Sequence, residues 1–105
     1  MSKVFVTQEQ TKLNYLPAEK FGEIRFITRD EFSPVASSLS NVHLMGCIRE
    51  ALSDFREEED YIVFSGSPTV AAAVFASMGK LGIAAFRVLR WSNRDGSYTP
   101  IGITL

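Results

Sequence analysis

Cysteine and histidine are almost missing from this chain: Cys47 and His43 are the single examples in 105 residues. One thiol excludes an intramolecular disulfide and every multi-cysteine zinc module. Long apolar runs are missing too. The longest, Thr69 to Met78, is about half the ~20 residues a membrane-spanning helix needs, and Met1-Ser-Lys3 has no apolar secretory stretch. Nor is there an excess of one charge. Eleven Lys and Arg against twelve Asp and Glu leave a net charge of −1, so no global field holds the protein on a phosphate backbone or an anionic membrane. These absences predict a protein of a reducing cytoplasm, with no membrane partner and no bulk nucleic-acid binding.

What is present is apolar and ordered. The chain is 46% hydrophobic, enough for one core and one domain over 1–105. Its clearest stretch is Tyr61-Ile-Val-Phe64, then Ser65-Gly-Ser-Pro-Thr69, then the alanine-rich run to Gly79. That is an apolar strand, a tight turn at Gly66, an N-cap at Ser67 and a proline suited to the first helical position. Strands are expected at about 3–7, 21–28, 61–65, 83–91 and 98–104, and helices at about 42–57 and 68–79. Gln8 to Lys20 reads as a surface loop.

The order is β-β-α-β-α-β-β, an α/β domain with a mixed sheet, two right-handed crossovers and a C-terminal antiparallel hairpin turning at Asn93-Arg-Asp-Gly96. Pro100 places the last strand at an edge, since it cannot donate to a ladder. Leu44, Ile48, Phe64 and Val74 are expected in the core, with Phe64 on a central strand covered on both faces.

Four groups of residues invite a functional reading. Ser65, Gly66, Ser67 and Thr69 lie where a helix N-terminus can hold an anion, a nucleotide for example, although plain capping explains the same residues. The turn has no P-loop lysine, no three-glycine fingerprint and no nucleophile-elbow spacing. Arg87, Arg90, Trp91, Arg94 and Tyr98 gather on the hairpin the side chains enriched at protein–protein hot spots, though a charged edge hairpin can serve only to prevent aggregation.

His43, Cys47 and Glu50 share a helix face at i, i+4 and i+7, which falls short of a closed metal site; Cys47 also adjoins the apolar stripe. The acidic run Asp54 to Asp60 sits at a helix end whose dipole disfavours it, so it is either a solvated end or a surface for a basic partner. No catalytic set, metal site or cofactor is implied.

Val4-Phe-Val6, Phe21-Gly-Glu23, Asp60-Tyr-Ile-Val-Phe-Ser-Gly66 and Val88-Leu-Arg-Trp91 with a closing Tyr98 resemble small accessory proteins encoded by tailed bacteriophages. The resemblance carries over no catalytic residue. It implies a bacterial cytoplasm during infection, and binding of a host factor or a signalling molecule. The expectation is therefore a non-enzymatic module that binds and modulates a host protein through the hairpin. Its alternative is a binder of a nucleotide or other anion at Ser65–Thr69. The alanine-rich second helix, with Ala71, Ala72, Ala73 and Ala76 almost all round, needs more cover than one sheet face; the first helix or the same helix of a second copy can supply it, and a homodimer is expected.

Overall fold

The computed structural model describes residues 1–35 and 37–104. In chain order these form β1 (Lys3–Val6), a 3-10 turn (Leu16–Ala18), β2 (Glu23–Phe26), α1 (Leu39–Ala51), β3 (Tyr61–Val63), α2 (Pro68–Lys80), β4 (Ala85–Ser92) and β5 (Ser97–Thr104). One sheet runs β2-β1-β3-β4-β5. Its first four strands are parallel, and β5 returns antiparallel to β4 across a turn closed by Gly96. The mixed sheet, the two helices and the edge position of β5 agree with the sequence-based order. One connection adds to it: β1 and β2 pair in parallel, joined by the 3-10 segment rather than a helix.

Each face of the sheet has its own core. On one side Phe5 and Ile62 meet Leu44, Ile48 and Leu52 of α1 and Val70, Val74 and Met78 of α2. On the other, Val4, Val6, Val63, Leu89 and Tyr98 lie under Tyr15 and Ala18. The strand period of two explains the split, since Val4 and Val6 point away from Phe5. Gln8 to Lys20 is thus more than a surface loop. Tyr15 and Ala18 are buried, and the segment is the lid that the sheet's second face needs.

Two expectations are corrected. The first helix starts at Leu39, because Ser38 accepts the amide of Ser40 as N-cap, and it ends at Ala51 instead of near 57. The carboxylate of Asp60 accepts the backbone N–H of Arg56 at 2.8 Å, which turns the chain and takes the acidic run off the helix. The third strand stops at Val63, and Phe64 is 51% exposed instead of core. Thr7 holds the backbone here: its hydroxyl accepts from Ser65 N and donates to Ser65 O, both at 2.9 Å, so the chain follows β1 and the Phe64 side chain is left exposed beside β4. The alanine-rich helix is covered within the chain on one side only. Ala71 is buried and Ala73 half-buried against the core, whereas Ala72 and Ala76 are exposed.

Candidate functional site

β3 and β4 pair only through Tyr61 with Arg87 and Ile62 with Val88. β4 runs on to Ser92, so past the end of β3 a gap opens beside it. On the face covered by the first connection this gap is a cavity of about 340 Å³. Leu13, Asn14, Tyr15 and Pro17 form one wall, Val63, Phe64 and Ser65 the second, and Leu89, Trp91 and Tyr98 the third. Trp91 and Tyr98 are cross-strand partners in edge-to-face contact, with ring centroids 4.9 Å apart. No charged side chain lines the cavity.

Its polar floor is small and ordered. The Tyr15 hydroxyl accepts from the amide of Gln10 at 2.9 Å and shares a hydrogen bond with Ser65 Oγ at 2.7 Å. Burial, and then the nearby Tyr15, push the Tyr98 phenol above its ordinary pKa. An apolar hollow with few fixed polar groups is the usual form of a small-ligand or side-chain pocket.

The structure divides the residues nominated from sequence. Ser65, Trp91 and Tyr98 come from different groups and meet in this one cavity. Gly66, Ser67 and Thr69 do not line it. Their turn is closed from within: Ser67 N donates to Gln8 Oε1 at 2.7 Å, and Thr69 N and Val70 N donate to Ser67 Oγ at 3.2 and 3.3 Å. Gly66 has φ +78°, and a Cβ there would collide with the Gln8 side chain. The amides an anion would use are already bonded to groups of the chain.

Arg87 is taken up elsewhere. Its guanidinium lies 4.0 Å from the Tyr61 ring centroid and donates to the Tyr61 hydroxyl at 3.0 Å. Arg90 and Arg94 are exposed, and among the described residues neither has an ion pair. The acidic run is largely spent on structure. Glu57 accepts from Ala84 N, Glu59 pairs with Arg56, and Asp54 pairs with Lys3 and Arg25.

His43 and Cys47 approach to 3.5 Å on α1. Among the described residues no three His, Cys, Asp or Glu side chains could hold a metal. Sequence reasoning missed Tyr15 and Leu13. The signal was there, in Leu13, Tyr15, Leu16, Pro17 and Ala18 clustered inside a stretch otherwise polar.

Fold and cleft together define a small α/β module with a recessed, uncharged site at the carboxyl ends of its parallel strands, where open α/β sheets hold their ligands. The chain belongs to the Phage Pam3 gp32-like protein family, whose model matches residues 2–105. No curated protein and no solved structure matches it. Among the described residues no helix is long and apolar enough to cross a membrane.

Proposed function

We propose that the protein is a non-enzymatic accessory module that binds and modulates a host protein in the bacterial cytoplasm, with the cleft and hairpin at the end of β3 as the binding surface. One observation carries this: Trp91 and Tyr98 on the hairpin, with Phe64, surround a single uncharged cavity that the chain itself leaves unfilled. Tryptophan, tyrosine and arginine anchors around a desolvated pocket are the pattern of an interface hot spot. Exposed Arg90 and Arg94 flank Trp91 on the hairpin, outside the lining of this cavity.

The rival reading, a nucleotide or other anion over Ser65–Thr69, requires the ligand to displace Gln8 and Ser67 from the amides they now satisfy. Two measurements separate them. Trp91→Ala and Arg90→Ala should each fold yet lose a host protein that the wild type captures; the same partner retained by both variants would remove the hairpin from the account. A nucleotide at a hundred times its dissociation constant should stabilise the rival's protein by about 2.7 kcal/mol. The proposal expects no such shift.

A further inference from the structure

Three strand edges of the sheet are open, and they differ. β2 presents exposed Glu23 and Arg25, charges that blunt an edge against pairing. β5 carries Pro100, which has no N–H to offer a neighbour. The third is the segment Leu89–Ser92 of β4, paired with β5 on one side and with no strand on the other, because β3 has ended. This edge has no proline and faces the gap.

The gap has two floors. Leu89 belongs to the core under Tyr15, whereas Val88, Ile101 and Ile103 alternate to the helix side, where Phe86 stacks on Phe75 of α2. On that helix side a second hollow, of about 370 Å³, is lined by Phe64, Val88, Arg90, Ile101 and Ile103. Phe64, Leu89 and Trp91 border both hollows.

Resting on the protein-binding reading above, we infer that the occupant is an extended peptide segment of the partner, added as a strand along Leu89–Ser92. Successive side chains of a strand point to opposite faces, so two neighbouring apolar residues fill the two hollows, one on each face, while the main chain bonds to the open edge. Four residues of strand at ~3.3 Å each give room for a segment of about four residues. On the helix side, unpaired Arg90 beside the second hollow selects a carboxylate near that end of the segment.

The test uses the full chain as bait for a display library of random linear heptapeptides, from which the tightest is synthesised. Enriched peptides should share apolar residues at i and i+1 with an acid two positions from one of them. Both Trp91→Ala and Ile101→Glu, the latter at an exposed position that the fold tolerates, should weaken binding at least tenfold. N-methylation of alternate peptide amides should cost at least tenfold on one parity and less than twofold on the other, and exchange of the Leu89–Ser92 amides should slow on binding.

Equal N-methyl effects on both parities, or enriched peptides without the neighbouring apolar pair, overturn strand addition; if Trp91→Ala still abolishes binding, the cleft remains the protein-binding site. Failure to enrich any peptide also overturns it, and a folded host protein held through Trp91 would keep the broader proposal. Binding indifferent to both Trp91 and Ile101 removes both.

Discussion

The two ends of the sheet are built from opposite materials. At the amino ends of the strands the charges are locked into place. Asp60 is fully buried, and its carboxylate accepts Lys3 N and Arg56 N, each at 2.8 Å, while Lys3 Nζ lies 3.8 Å from Asp60 and 3.4 Å from Asp54. Glu57 accepts Ala84 N, and Arg87 rests on Tyr61. At the carboxyl ends the walls are aromatic and neutral, and Arg90 and Arg94 have no ionic partner among the described residues. Charge here closes one end of the sheet, and uncharged aromatic surface keeps the other open. The acidic run, which in sequence reads as a solvated helix end or a surface for a basic partner, belongs to the closed end.

The largest test of that contrast is Asp60→Ala. It leaves two amides and Lys3 without their buried acceptor, and it should cost about 3 kcal/mol or more in urea unfolding. A loss below about 1 kcal/mol would show that the closed end is not locked. Within β3 the contrast becomes a pair. Ile62→Ala should cost about 2–5 kcal/mol as a buried core truncation, while Phe64→Ala, two positions on and half exposed, should cost less than about 1 kcal/mol. Equal losses would mean that Phe64 is covered after all.

Gly66→Ala forces a Cβ onto a left-handed backbone and against Gln8, and should cost about 1–2 kcal/mol. No loss there would mean that the Gln8 cap yields freely. Smaller still is the effect of pH on the open end. The Tyr98 phenol has its pKa raised by burial, so the folded state holds that proton more tightly than the unfolded state. Its contribution is complete below the unfolded pKa and is lost as pH rises through the folded one. Stability of the wild type should therefore fall on the alkaline side more than that of Tyr98→Phe; parallel curves would contradict the assignment.

Much of this architecture is legible without coordinates. The strand, turn and capped helix from Tyr61 to Lys80 follow from local chemistry, because Gly66, Ser67 and Pro68 each have one conformational role. Pro100 marks an edge for the same reason. What stays hidden is set by distant partners. Phe64 reads as core from its neighbours, yet Thr7, 58 positions from Ser65, decides that the strand ends before it. Tyr15 reads as loop until Ser65, 50 positions on, shares its hydroxyl's hydrogen bond. The cleft is made of such pairings, so its parts could be named from sequence while their meeting could not. Self-association over exposed Ala72 and Ala76 is a separate expectation; sedimentation of Ala72→Glu against wild type checks it, a monomer in both cases opposing it.

Trp91 is the chain's only tryptophan and is 41% exposed at the mouth of the cleft, so its fluorescence reports on the open end alone. Titrating the protein with the host protein it captures should shift the emission to the blue and protect the indole from acrylamide quenching. A saturating partner that leaves both emission and quenching unchanged would place binding elsewhere and contradict the assignment of the open end.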